Sequence, residues 1–373
     1  MVKKLILSLV STNDETIIIN DNELLIENKK LHELLTSHKN QITSYYNDKS
    51  WDKFKKLSNE YELIFTTPNT GINISKYIPV SRSFFKLWEI LHDFHDEIFI
   101  EQDMKCLFLA DGPGSFIESF LKYRSSYKDQ LYGMTLISNN NKSIPDWKIS
   151  HERLTLTYGE DGTGNLYNFS NILYLIKLIG KNILDFITSD GGFDFSIDFN
   201  NQEELSMRLI LAEILSAVCL QKVGGKFILK IFDIFNIETL KIIHLLKEFY
   251  ENIYLIKPLS SRPSNSEKYI LCTGFTINKQ NEHYKNLLIH VIKNYNQENQ
   301  NRFFNEISFN NNLLRNIILY NSYYCLRQIY YIQKTINYIN KYKIFTDETR
   351  DILAKNKKKC IKWCQKYQLE YNL

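Results

Sequence analysis

The chain has 373 residues, 44% of them hydrophobic and 24% charged, with a net charge of +4. That length and apolar content suit one large globular domain with extensions, or two domains, and exclude a disordered tail. No apolar run reaches the roughly 20 residues that a membrane span needs. The six scattered cysteines, Cys106, Cys219, Cys272, Cys325, Cys360 and Cys364, read as reduced thiols of an intracellular protein and not as a disulfide framework.

The opening MVKKLILSLVSTNDE has a short apolar stretch and a polar flank, which predicts a first β-strand in preference to a signal peptide. All 13 glycines fall between Gly71 and Gly274 and all six prolines between Pro68 and Pro263. The first 67 and the last 99 residues contain neither breaker, so turn-rich structure belongs in the middle. Residues 276–373 carry 16 Lys or Arg against 7 Asp or Glu, with the run Lys355, Lys357, Lys358 and Lys359 near the end. A basic, breaker-free, helical extension is expected there, either as a solvated helix face or as a nucleic-acid footprint. The abundance of Asn, Ile, Lys and Tyr is read as compositional bias.

In the middle, MKCLFLADGPGSFIESFLKY reads as a buried strand from Cys106 to Ala110, a tight turn, and a helix with apolar positions at Phe116, Ile117, Phe120 and Leu121. Strands are predicted at Leu131–Ile137, Phe186–Ser189, Phe227–Phe232 and in YILCTGF, with helices at Glu203–Leu220 and Ile237–Tyr250. Strands alternating with helices at crossover spacing predict an α/β fold, a mostly parallel sheet covered on both faces. The loop Asp111, Gly112, Pro113, Gly114, Ser115 and Phe116 then falls at the carboxyl end of that sheet, where ligands of open α/β folds bind. It lacks the GxxxxGK[ST] phosphate loop and the three-glycine dinucleotide spacing, so an adenosine cofactor without a triphosphate fits it best. The second strand ends in Thr135, Leu136, Ile137 and Ser138, with no acid to hold a ribose; Asp161, among three glycines, suits a loop edge facing an adenine or a plain Asp-Gly turn.

Four residues stand out beyond the loop. Asp190 ends a strand before two glycines; Lys230 sits inside an apolar strand, where an ammonium is costly without carboxylates around it. Glu267 precedes another apolar strand, and Lys86 lies on a helix among Phe84, Phe85, Leu87 and Trp88. Taken singly, Lys86 and Glu267 read as surface charges.

Together, SRSFFKLWEI, the strand with DGPGSF, ITSDGG, GGKFILKIF and SRPSNSEKY resemble the FtsJ-like family of S-adenosylmethionine-dependent RNA ribose 2′-O-methyltransferases, above all its eukaryotic and viral messenger-RNA cap branch, over residues 78–276. The resemblance implies a Rossmann-like methyltransferase fold and a catalytic tetrad of Lys86, Asp190, Lys230 and Glu267. It also implies that the glycine loop (Asp111 to Phe116), with Asp190, holds the methionine end of S-adenosylmethionine, that Asp161 faces the adenine and that Ser81 lies on the cofactor side. Crowding by Lys86 and desolvation are expected to lower the Lys230 pKa so that it takes or steers the hydroxyl proton, without a metal. Arg82 and Arg262 stand as RNA contacts.

His92 and His95 read as a helix face and not a metal pair, and Cys360 and Cys364 lack the companions of a zinc site. The expected reaction is 2′-O-methylation of the first transcribed nucleotide of capped mRNA, on a nuclear or cytoplasmic protein, or one of a virion or viral factory, with other capping or transcription proteins as partners and no membrane. Its alternatives are the same reaction on ribosomal or transfer RNA, and a non-catalytic RNA-binding or polymerase-associated subunit.

Overall fold

The computed structural model describes residues 6–7, 21–45, 49–66, 73–99, 102–137, 144–192, 200–342 and 347–373. Its centre is an eight-stranded sheet of β1 (Ile6–Leu7), β2 (Lys105–Leu109), β3 (Gln130–Met134), β4 (Leu154–Thr157), β5 (Leu184–Ser189), β6 (Gln221–Ile231), β7 (Tyr250–Ile256) and β8 (Lys268–Phe275). The order across the sheet is β1-β7-β8-β6-β5-β2-β3-β4. Strands β4, β3, β2, β5 and β6 run parallel; β8 lies antiparallel between β6 and β7. The predicted third-strand span to Ile137 is too long: the ladder stops at Met134, and Thr135 and Leu136 turn out of the sheet.

Both faces are covered, as continuous apolar runs such as the wholly buried β5 require. Helices α3 (Ser83–Asp93) and α5 (Ser115–Tyr123) cover one face, where Leu87, Phe116 and Phe120 meet Cys106, Phe108, Phe186 and Ile228. On the other, α6 (Phe169–Ile179), α7 (Gln202–Leu220) and α8 (Ile237–Phe249) pack on Leu107, Leu109, Ile187, Phe227 and Leu229. The strand residues alternate between these two cores, which is the period of two that decides where each polar side chain points.

Apart from β1, which adds to the sheet edge beside β7, the described parts of the extensions are mainly helical and fold onto this unit. At the N-terminal side are α1 (Asp21–Asn40) and α2 (Ser50–Ser58), with the short α4 (His95–Ile98) following α3. At the C-terminal side are α9 (Lys279–Lys293), α10 (Gln297–Asn305), the 31-residue α11 (Asn311–Lys341) and α12 (Asp347–Lys366). Asn278, Asn296 and Asn310 cap α9, α10 and α11, each side chain accepting a backbone N–H of the first turn. Part of the asparagine bias therefore starts helices. Helix α11 packs along α1 and α2, while α12 buries Cys360, Trp363, Cys364 and Tyr367 against Phe84, Phe85 and Trp88. In the basic run Lys359 pairs with Glu60 at 2.7 Å. Among the described residues no helix is long and apolar enough to cross a membrane.

Candidate active site

Alternation along the strands assembles the site. Phe186, Ile228, Tyr269 and Leu271 point into the core beneath α3, so Asp190, Lys230 and Glu267, each an even step along from one of them, emerge on that face. Ser189 pairs with Leu229 in parallel register, which brings Asp190 and Lys230 out side by side, and Lys230 lies opposite Tyr269 on β8. Helix α3 lays Lys86 over them. The structure thus brings together all four residues singled out from sequence: Lys86 Nζ is 2.8 Å from Glu267 Oε2, and Lys230 Nζ is 3.2 Å from Asp190 Oδ1 and donates to the Asp190 carbonyl at 2.6 Å. The Tyr269 hydroxyl bridges the two pairs, 3.0 Å from Asp190 Oδ1 and 3.3 Å from Glu267 Oε1. Burial, then Asp190 and Glu267, push its pKa well up, so it stays a neutral donor.

Burial opposes charge on Glu267, but Lys86 and Lys230 outweigh it and hold its pKa at about 2. The expected depression of the Lys230 pKa is corrected: burial does act downward, but Asp190 first and Glu267 second outweigh it and the pKa is raised. Lys86, whose amine goes to Glu267, does not dominate. A further carboxylate lies below. Glu213 on α7 is fully buried, reaches the backbone of Gly191 and is raised to about 8, with burial the main cause and Lys230 opposing it.

Asp190, Lys230 and Glu267 line a cavity of about 840 Å³, with Lys86 behind Glu267. Toward β2, β3 and β4 its wall is Ala110, Gly112, Thr135, Leu136, Pro145, Gly164 and Leu166. A Cβ on Gly112 would come within 3.1 Å of Thr135 Oγ1, and one on Gly164 would overlap the Thr135 carbonyl, so both glycines permit close approach of backbone. This half has hydroxyl, backbone and apolar groups and no cation, which fits S-adenosylmethionine, a cofactor without phosphates.

The loop residues divide in role. Gly112 lines the cavity. Asp111, though, is 1% exposed and its carboxylate accepts the N–H groups of Phe116 and Ile117 at 2.9–3.0 Å, so it caps α5. Pro113 follows Gly112 through a cis peptide, Gly114 takes φ 107° against Ile149, and Phe116 is buried in the core. Ser81 and Ser115 bond each other at 2.6 Å, Ser115 fully buried. Asp161 is exposed and outside the cavity wall; its oxygens accept from Thr163, Asn168 and Asn171, so it ties its own loop together.

Toward β6 and β8 the wall is cationic, with Lys39, Lys55 and Arg262 beside Trp51, Asn265 and Gln328. Arg82 does not face it. Its guanidinium is largely buried and donates to the carbonyls of Tyr61, Glu62, Phe65 and Ser260, which corrects its reading as an RNA contact. Arg262 does line the cavity, yet its fork is bound by Glu62 at 2.7 and 3.0 Å. His92 Nδ1 is 2.8 Å from the Trp88 carbonyl and His95 Nδ1 is 2.9 Å from the Tyr123 hydroxyl; no metal-holding cluster occurs among the described residues. Tyr269, Glu213, Lys39, Trp51, Lys55 and Gln328 were not singled out from sequence. Only Tyr269 had a local signal, two residues beyond Glu267 on the same strand face.

A glycine loop after the first parallel strand, an antiparallel strand between the last two, and the charged cavity at the carboxyl edge define a Rossmann-like methyltransferase. The description of the FtsJ-like methyltransferase family matches residues 79–275, just over half of the chain, and the chain belongs to that family. Among relatives, a cap-specific mRNA (nucleoside-2′-O-)-methyltransferase 1 of Trypanosoma cruzi is 35% identical over 170 residues, 45% of this chain and 47% of that one. The mouse protein of the same name is 35% identical over 188 residues, 48% of this chain and 22% of its own. The chain thus spans less than half the length of these curated relatives. Both are eukaryotic, and the viral side of the resemblance finds no support in them. A solved ribosomal RNA methyltransferase of Plasmodium falciparum aligns at 21% identity and a TM-score of 0.38, over 52% of this chain and 97% of its own, too loose a likeness to bear on function.

Proposed function

We propose that this chain transfers a methyl group from S-adenosylmethionine to the ribose 2′-hydroxyl of the first transcribed nucleotide of capped mRNA, taking cap 0 to cap 1. The observation that carries this reading is the meeting of Lys86, Asp190, Lys230 and Glu267, the last three in the cavity wall between a half without cations and a cationic one. The names of the relatives support the capped acceptor, and the buried free thiols suit an intracellular protein, nuclear or cytoplasmic.

S-adenosylmethionine, when bound, supplies a methyl group on positively charged sulfur. The chain must supply an aligned and activated ribose oxygen, since a hydroxyl is a weak nucleophile at neutral pH. Lys230 rests protonated and in that state fixes the hydroxyl by donating to it. Positive charge entering the cavity offsets Asp190 and Glu267, making the proton of Lys230 easier to lose, and the free amine then accepts the hydroxyl proton. Glu267 holds Lys86 at 2.8 Å, leaving that ammonium's remaining donors for a phosphate or hydroxyl. Alignment of the two reactants supplies much of the acceleration.

The test is transfer of tritiated methyl from S-adenosylmethionine to matched capped and uncapped RNAs. Label on capped RNA alone, lost in Lys230→Ala, is expected. Label confined to uncapped structured RNA would move the reaction to ribosomal or transfer RNA; binding of the donor without transfer to any RNA would favour a non-catalytic subunit.

A further inference from the structure

The loop from Pro258 to Glu267, between β7 and β8, carries Glu267 and walls the cationic half of the cavity. It lacks a regular ladder of its own and is held by side chains from outside it. Lys257 donates to the carbonyls of Asn265 and Glu267 at 2.8 and 2.7 Å, and Glu89 on α3 accepts from Leu259 and Ser260. Arg82 donates to the Ser260 carbonyl at 3.0 Å and Lys268 to that of Ser266 at 3.0 Å, and further holds come from outside residues 79–275. Lys39, at the end of α1, donates to Asp233 at 2.7 Å and to Ser266 at 3.1 Å, and Ser266 in turn donates to Asp233 at 2.8 Å. Glu62 grips Arg262 through two bonds, Gln328 of α11 reaches the Ser264 carbonyl at 3.3 Å, and Trp363 of α12 steadies Glu89 at 3.0 Å. Lys39, Asp233 and Lys268 have side chains no more than 8% exposed, so they are spent on the protein and not on solvent.

We propose that Lys39 and Glu62 are positioning residues of the active site, clamping the Pro258–Glu267 loop so that Glu267 and Arg262 meet the acceptor in register; the N-terminal extension is then part of the catalytic unit. This rests on the methyl-transfer reading only for its kinetic readout. Two measurements on the full-length chain test it. Hydrogen exchange needs no acceptor: Lys39→Met and the milder Ser266→Ala, which leaves the Lys39–Asp233 pair in place, should each speed exchange in residues 258–267 while the glycine loop at 111–116 stays as in the parent. In transfer assays Lys39→Met should raise the acceptor KM about ten- to a hundredfold, leave the donor Kd within about twofold, keep the parent's salt slope because no phosphate contact is lost, and recover partly in Lys39→Arg. Unchanged exchange in 258–267 for both variants would overturn the clamp, even where no RNA is methylated by the parent. A lower salt slope for Lys39→Met with unchanged exchange would overturn it too, by making Lys39 a direct phosphate contact.

Discussion

Two ionic clusters border the same cavity, each with a pair of lysines against carboxylates, and they differ in where the lysines spend their hydrogen bonds. In the buried cluster Lys268 donates to the Phe232 and Ser266 carbonyls and faces Asp233 at 3.5 Å, while Lys39 holds Asp233 and Ser266. An ammonium has three donors, and two of those of Lys268 go to carbonyls while its charge faces Asp233. In the other cluster, among the described residues, Lys86 makes one hydrogen bond and Lys230 has one polar partner, Asp190, through its carbonyl and carboxylate. The first arrangement spends its lysines on the protein itself. The second keeps donors free at the cavity edge, and a charge left incompletely satisfied in a cleft is what distinguishes a reactive group from a structural one.

Four substitutions probe that contrast. Lys230→Ala has the largest expected effect, a loss of about a thousandfold in single-turnover transfer, within the range of general acid–base groups, with donor binding by calorimetry retained. Asp233→Asn should act on stability, costing about 3–5 kcal/mol by leaving two buried lysines against an amide, read as a lowered denaturant midpoint. The Asp233 carboxyl is held well below its usual range by Lys39 and Lys268 against burial, so its contribution is complete above the ordinary aspartate pKa, declines as pH falls below it, and is gone once pH passes the depressed folded value.

Glu267→Gln follows, with transfer about a hundredfold down and a shifted profile. Because Glu267 raises the Lys230 pKa, its loss should move the alkaline rise of the pH–rate curve to lower pH; an unmoved curve would remove Lys230 from the proton transfer. Glu213→Gln is the smallest. Folded Glu213 keeps its proton to about pH 8 whereas an unfolded glutamate loses it near ~4.3, so the folded protein loses stability as pH rises between those values. The variant's Tm should exceed the parent's by more at pH 8 than at pH 5.

Much of the central unit was legible because its signals are local. The short apolar runs in LDFITS and KFILKI, the breakers at Gly112 and Pro113, and the helical spacing after them marked strands, turn and helix within a few residues. Lys230 was conspicuous as a charge in an apolar strand, and strand parity suffices to put Asp190 and Glu267 beside it. The misreadings share one cause: charge marks a residue as functional without saying what it touches. Arg82 goes to four carbonyls, three of them from residues 61–65. The sign of the Lys230 shift was illegible too, because it is set by Asp190 and Glu267 outweighing burial. The cationic wall was illegible for a related reason. Lys39, Trp51 and Gln328 come from helices far from the strand motifs in sequence, and nothing in amphipathic helices predicts which neighbour they will cover.

The central claim is tested most directly by a capped RNA in which only the first nucleotide lacks its 2′-hydroxyl, compared with its ribose parent in single-turnover transfer from labelled S-adenosylmethionine. Label on the parent and none on the deoxy RNA is the expected result. Equal label on both would place the methyl elsewhere on the RNA and contradict the assignment of Lys86, Asp190, Lys230 and Glu267 to a ribose hydroxyl.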